Sequence, residues 1–141
     1  MKKFIIFSCL CVLTACSGVK PQDLTVDTPC PPSPNCVSSL TQDIDKKVEP
    51  FILRQNLNSW SKLTSYLRDN PKALVVFSDD TVLQLEFRTK WLHFVDDVVL
   101  RRDGNYVDIR SASRVGYSDL GMNRRRVEAL RINLRRQLII K

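Results

Sequence analysis

Apolar and polar side chains alternate in LQLEFR, residues 83–88, where Leu83, Leu85 and Phe87 are separated by Gln84, Glu86 and Arg88. A period of two predicts a β-strand with one buried and one exposed face. Further β-type segments follow at 91–95 and 98–102, and Asp103-Gly104 is a hairpin turn signal before another strand at 106–110. The centre of the chain therefore predicts an antiparallel sheet.

Other elements flank this sheet. A helix is predicted that begins at an N-cap of Asn58 or Ser59 and ends before Pro71. Four apolar residues at helical spacing form its buried face: Trp60, Leu63, Tyr66 and Leu67. A short buried strand is predicted at 73–77. The last segment places Val127, Leu130, Leu134 and Leu138 on one helical stripe. The expected fold is α+β, with a small antiparallel sheet of four to five strands and two main helices.

The N-terminus has the features of an export signal. Met1-Lys2-Lys3 is basic, and the apolar run at 4–13 is too short to span a bilayer. Leu13-Thr14-Ala15-Cys16 resembles the bacterial lipobox, which predicts a signal peptide at 1–15 and lipidation of the Cys16 thiol. Alternatively, Cys16 is a small residue at the end of an ordinary signal. Ser17 favours the outer membrane, facing the periplasm, over inner-membrane retention, by resemblance to enterobacterial sorting.

Six of the seven prolines lie between Pro21 and Pro50, which predicts an extended tether at 16–36 before a single folded domain at 37–141. Cys30 and Cys36 are the two thiols left after processing. In an oxidising compartment they predict a disulfide that closes a small ring, with a redox-active pair as the alternative.

Charge is concentrated near the C-terminus. Residues 101–141 carry 11 basic and 4 acidic side chains, against 9 and 11 in residues 20–100. A single histidine, His93, fits neither a multi-histidine metal site nor a Ser-His-Asp triad, so no metal or cofactor is expected. A nucleic-acid partner is also not expected, because an exported protein meets none and no recognition module is visible.

Three blocks resemble the family called domain of unknown function 1499. They are RSASRVGYSDLGMNRRR at 110–126, CPPSPNCVSS at 30–39 and FVDDV at 94–98. Many members resemble exported bacterial lipoproteins. The resemblance implies no general activity and no cofactor.

The first of these blocks suggests an anion site. Arg124, Arg125 and Arg126 fall in the first turn of the last helix, with Asn123 as expected N-cap, and cations there are unfavourable. The candidate anion-binding residues are Arg110, Ser111, Ser113, Arg114, Tyr117, Asn123, Arg124, Arg125 and Arg126. The alternative is internal pairing with the candidate acidic partners Asp96, Asp97, Asp108 and Asp119. An external anion would be a phospholipid, lipopolysaccharide or peptidoglycan group.

The sequence therefore predicts a membrane-anchored envelope protein that acts as a binding or structural module, with no protein partner indicated. The alternative is an envelope hydrolase that uses Asp residues for acid and base chemistry. Asp96 and Asp97 are adjacent in a strand and should point to opposite faces, so they do not form one site without a bulge. No catalytic residue is assigned.

Overall fold

The computed structural model describes residues 18, 23–55, 58–89 and 94–141. Its elements are β1 (Cys36–Ser38), β2 (Phe51–Ile52), α1 (Ser59–Arg68), β3 (Ala73–Ser78), β4 (Val82–Arg88), β5 (Val95–Asp103), β6 (Tyr106–Ser113) and α2 (Met122–Arg136). The predicted α+β class is confirmed. The sheet has six strands, more than the four to five predicted. Strands β1 and β2 were not predicted because, at three and two residues, they are too short to show a sequence pattern.

All pairs in the sheet are antiparallel, in the order β1-β6-β5-β4-β3, and β2 also pairs with β6. The predicted hairpin is present: Asp103 pairs with Tyr106, and Gly104 has a φ of +56° at the first of the two turn positions. Glycine adopts that conformation without a steric penalty. The turn therefore sets the register between β5 and β6.

Both helices cover one face of the sheet, called the helix face. Trp60, Leu63 and Leu67 of α1 are buried there, as predicted. The strand predicted at 73–77 is β3, but it is not buried. It forms an edge of the sheet, where Leu74 and Phe77 are about half exposed.

The end of α2 differs from the predicted stripe. Val127, Leu130 and Leu134 are buried in the core, but the helix ends at Arg136 and Leu138 is 60% exposed. The chain reverses at Leu138, with a φ of +56°, so that the following residues 139–140 are buried instead.

The opposite face of the sheet, called the second face, is covered by the chain before β1, residues 24–35, which we call the covering segment. Leu24 and Val26 are buried against Val99, and Gln84 donates a hydrogen bond of 3.0 Å to the carbonyl of Leu24. This cover corrects two expectations. Strand β4 is not half exposed, since Glu86 is buried, and residues 24–36 belong to the folded domain instead of an extended tether.

The predicted disulfide is confirmed: the sulfur atoms of Cys30 and Cys36 are 2.03 Å apart. It joins the covering segment to β1. Cys16 and His93 lie outside the described residues, so the lipidation site stays a prediction. Neither of the two described helices is long and apolar enough to span a membrane.

Candidate functional site

Asn123 is the centre of a polar network on the helix face, and it is fully buried. Its side-chain amide nitrogen lies 3.0 Å from the carbonyl of Asn35, 3.0 Å from Ser113 Oγ and 2.8 Å from Asp119 Oδ2. Its amide oxygen accepts a hydrogen bond of 2.6 Å from Ser111 Oγ. The network ties α2 to β6 and to the residue before β1.

Asn123 is not the N-cap of α2, as the sequence predicted. The N-cap is Gly121, with a φ of +76°, and Asn123 lies inside the first turn. Asp119 takes over the capping role, because its carboxylate accepts hydrogen bonds from the backbone N–H groups of Gly121 (2.9 Å) and Asn123 (2.6 Å). A carboxylate at a helix N-terminus is favourable and offsets part of the repulsion from the three arginines.

Arg126 completes the helix-face network. One guanidinium nitrogen donates to Asp96, and the other donates to Asn123 Oδ1 at 2.7 Å and to Ser111 Oγ at 3.1 Å. The guanidinium also lies over the ring of Phe87, 4.9 Å from its centroid. Arg126 is thus held inside the fold by an ion pair and a cation–π contact.

Arg114 forms the corresponding network on the second face. It donates two hydrogen bonds to Asp97, from Nε at 2.8 Å and Nη2 at 2.7 Å, and one to Glu86 at 2.6 Å. These bonds raise the pKa of Arg114. Burial alone would raise the pKa of Glu86, but the guanidinium groups of Arg114 and Arg88 outweigh it and lower that pKa below its ordinary value.

Arg110 also lies on the second face, where it binds the covering segment. Its guanidinium donates to the carbonyls of Thr28 at 2.8 Å and Pro29 at 3.4 Å. Burial lowers the pKa of Arg110, and the nearby charge of Asp97 opposes this effect. The contacts of Arg110 hold the covering segment on the sheet.

The other predicted residues also have contacts within the chain or face solvent. Asp108 accepts a hydrogen bond of 3.0 Å from Ser39 Oγ and lies 3.6 Å from Arg101. Arg124 donates to the backbone carbonyls of residues 45 and 47, and Arg125 to that of residue 120. Tyr117 is 78% exposed. Among the described residues, every buried side-chain nitrogen and oxygen has a hydrogen-bond partner.

The candidate anion-binding residues therefore do not converge on one site. Ser111, Ser113, Asn123 and Arg126 meet on the helix face, whereas Arg110 and Arg114 lie on the second face. The separation follows from strand geometry, since Arg110 and Ser111 are neighbours in β6. Asp96 and Asp97 of β5 are separated in the same way, as predicted, and each binds a different arginine.

A cleft of about 340 Å³ opens beside the N-terminus of α2, between the loop at 45–46 and the turn at 118–121. Lys46 and Arg124 line it. Lys46 donates to the carbonyls of Pro31 and Pro32 at 2.7 and 3.1 Å, and Arg124 is bound to the loop as described above. In the described part of the chain, no group of three His, Cys, Asp or Glu side chains is placed to hold a metal ion.

The family model described as protein of unknown function (DUF1499) matches residues 28–134, which include all six strands and most of α2. The chain belongs to the DUF1499 family. Neither the curated proteins nor the solved structures contain a match to this chain. In this DUF1499 protein, the blocks at 30–39, 94–98 and 110–126 meet in space. Asn123 binds the carbonyl of Asn35, and Arg126 and Arg114 of the third block bind the two aspartates of the second.

Three residues that join separate elements of the fold through hydrogen bonds were not predicted as site residues. Asn35, Glu86 and Arg131 are all buried. Glu86 was assigned to an exposed face because its buried partner, Arg114, lies 28 residues later in the chain. Arg131 donates to the carbonyls of Glu49 and Pro50 at 2.6 and 3.1 Å and lies over the ring of Phe51. The spacing of Arg131, four residues after Val127 and three before Leu134, was the signal in the sequence for an inward side chain.

Proposed function

We propose that this DUF1499 protein is a lipid-anchored protein of the bacterial cell envelope whose folded domain serves as a binding or structural module. The observation that carries the proposal is the internal pairing of its charged signature residues. Asp96, Asp97 and Glu86 are bound by Arg126 and Arg114 inside the fold, so these groups are engaged in holding the sheet and helix α2 together. The disulfide supports an oxidising compartment outside the cytoplasm.

The anchor is supported by the Leu13-Thr14-Ala15-Cys16 sequence and the apolar run before it. A diacylglyceryl group, with or without a third acyl chain, supplies at least the two chains that stable membrane anchoring requires. The outer membrane, on its periplasmic side, remains the proposed location because Ser17 follows the cysteine.

The anchor is tested by expressing the full chain in a bacterium with labelled palmitate and determining the mass of the mature protein. We expect label in the mature protein, an N-terminus at Cys16, and loss of both in Cys16→Ser. Cys11→Ser is the matched control, because Cys11 lies in the segment that is removed, and it should retain the label. An unlabelled mature protein cleaved elsewhere would overturn the anchor.

The hydrolase alternative is tested on the same purified protein with peptidoglycan and phospholipid as substrates. We expect no turnover above that of a boiled sample. If instead turnover is seen and Asp119→Asn abolishes it while the protein stays folded, the module assignment is wrong and the hydrolase replaces it.

A further inference from the structure

The exposed face of α2 carries both arginine and apolar side chains. Six residues of the helix are exposed. Five of them recur every three or four positions and form one stripe, the outward stripe, with Arg135 beside its end: Met122, Arg125, Ala129, Ile132 and Arg136. Helical spacing places them opposite the buried residues Val127, Leu130 and Leu134. Ile132 is 51% exposed at the middle of this stripe. The stripe thus combines arginine with apolar side chains.

The six arginines of α2 divide into two groups. Arg124, Arg126 and Arg131 are bound by the rest of the fold, as described above. The other three are exposed, and none of them pairs with an Asp or Glu side chain among the described residues: Arg125, Arg135 and Arg136. Arg135 donates a hydrogen bond of 2.8 Å to the main-chain oxygen of Lys141. The one acidic residue of the helix, Glu128, binds Arg131. The outward side of α2 therefore carries unneutralised positive charge.

Two exposed leucines flank the helix. Leu120 is 82% exposed and Leu138 is 60% exposed, and these are the two non-glycine residues with positive φ in the described chain, at +53° and +56°. The carbonyl of Leu120 accepts a hydrogen bond from Arg125, and the N–H of Leu138 binds the carbonyl of Arg135. Each leucine therefore lies beside an exposed arginine that has no Asp or Glu partner among the described residues, in a backbone conformation that normally favours glycine or asparagine.

We propose that the outward stripe, with Leu120 and Leu138 at its ends, rests on an anionic phospholipid bilayer. This inference depends on the proposed function, since the lipid anchor brings the domain to the membrane. Charge complementarity favours this surface, because arginine binds phosphate well and apolar side chains enter the boundary between headgroups and acyl chains. Each cation near such a surface contributes about fivefold in affinity. The domain would then lie on the membrane with α2 facing the lipid.

The experiment uses the lipidated mature protein in vesicles. After processing, Cys16 carries lipid and Cys30 is paired with Cys36, so Ile132→Cys introduces the sole free thiol for an environment-sensitive fluorophore. Leu74→Cys is the control position, at 52% exposure on the edge strand far from α2 in the sheet order. We expect a blue shift at position 132 in phosphatidylcholine vesicles that contain a quarter phosphatidylglycerol, and none at position 74.

A charge variant tests the arginines. Arg125→Glu with Arg136→Gln in the 132-labelled protein should abolish most of the shift, as should high salt. The control is Lys62→Glu with Lys72→Gln, which removes the same net charge from exposed lysines elsewhere. Lys62 and Arg125 each stand at the fourth position of a helix, so their replacements affect helix stability alike. We expect the control to keep the full shift.

The outcomes separate this inference from the proposed function. If the protein does not float with the vesicles, the anchor is wrong. If it floats but the label at 132 keeps its aqueous emission, or shifts equally in pure phosphatidylcholine, the anionic-surface contact is wrong. A shift that appears only when peptidoglycan is added, without phosphatidylglycerol, also overturns it and assigns the stripe to the cell wall.

Discussion

Arg114 and Asp97 form a two-bond ion pair across the second face of the sheet, with donor–acceptor distances of 2.8 and 2.7 Å. Both side chains are about 95% buried. Asp97→Asn removes one of the two carboxylates that bind Arg114 and leaves Glu86 as its remaining partner. We expect the substitution to lower the free energy of unfolding by about 2 to 3 kcal/mol, measured by urea denaturation.

The matched control for this change is Asp80→Asn, in an exposed loop, which should shift stability by less than about 0.5 kcal/mol. Equal effects of Asp97→Asn and Asp80→Asn would contradict a structural role for the pair.

Acid should weaken the same network through Glu86. Its pKa is lowered in the folded protein, so its contribution to stability is fully present above its unfolded pKa of about 4.3 and is lost as the pH falls through the folded value. Stability should therefore decrease below about pH 4. Glu86→Gln should be less stable at neutral pH and show a shallower decrease in acid. A variant with the same pH profile as the wild type would exclude Glu86 as a cause.

Asn123 should be more important for stability than its polar character suggests. Asn123→Ala removes partners from Ser111, Ser113 and the carbonyl of Asn35 in a fully buried position. We expect a loss of about 2 to 4 kcal/mol in unfolding free energy. Asn133→Ala, on a half-exposed position of the same helix, should cause little change. A comparable loss in both would mean that the network contributes nothing specific.

At the strained C-terminal end of α2, we expect a substitution to stabilise the protein. The N–H groups of Leu138 and Ile139 bind the carbonyls of Arg135 and Leu134, a Schellman arrangement in which glycine is the usual left-handed residue. Leu138→Gly should raise the unfolding free energy by about 0.5 to 1 kcal/mol, since relief of strain exceeds the added freedom of the unfolded chain. Gln137→Gly, at a φ of −80°, should destabilise instead. Thermal denaturation distinguishes the two signs.

Reduction of the disulfide should be only moderately destabilising. The ring between Cys30 and Cys36 is short, so the entropy it removes from the unfolded chain corresponds to about 2 kcal/mol. Urea denaturation with and without a reductant measures the difference. No difference would indicate that the covering segment is held by Arg110 and its apolar contacts alone.

Local sequence patterns were sufficient to predict the type and position of several elements. The alternation at 83–88, the turn at Asp103-Gly104 and the spacing of Trp60, Leu63 and Leu67 correctly predicted β4, the β5–β6 hairpin and α1. They failed where a partner is distant in sequence. On the second face, Gln84 binds the carbonyl of Leu24, which lies 60 residues earlier, and Glu86 binds Arg114, which lies 28 residues later.

The candidate site was predicted in composition but not in arrangement. The arginines and aspartates were identified, but their separation onto two faces depends on the register of β5 and β6, which places Asp96 opposite Ser113 and Asp97 opposite Ala112. Asn123 was assigned to the cap because helix boundaries are uncertain by one or two residues at the sequence level. A shift of two positions changed its role from helix start to buried centre.

The pairing of β1 with β6 also determines the order in which the chain can fold. Cys36 pairs with Ala112, and Asn35 is bound by Asn123, so the strand that β1 pairs with lies in the last third of the chain. Contacts between such distant residues form slowly. In a polypeptide that emerges N-terminus first, β1 and Asn35 would therefore wait for β6 and α2, whereas the ring of Cys30 and Cys36, helix α1 and the β3–β4 hairpin are local enough to form beforehand.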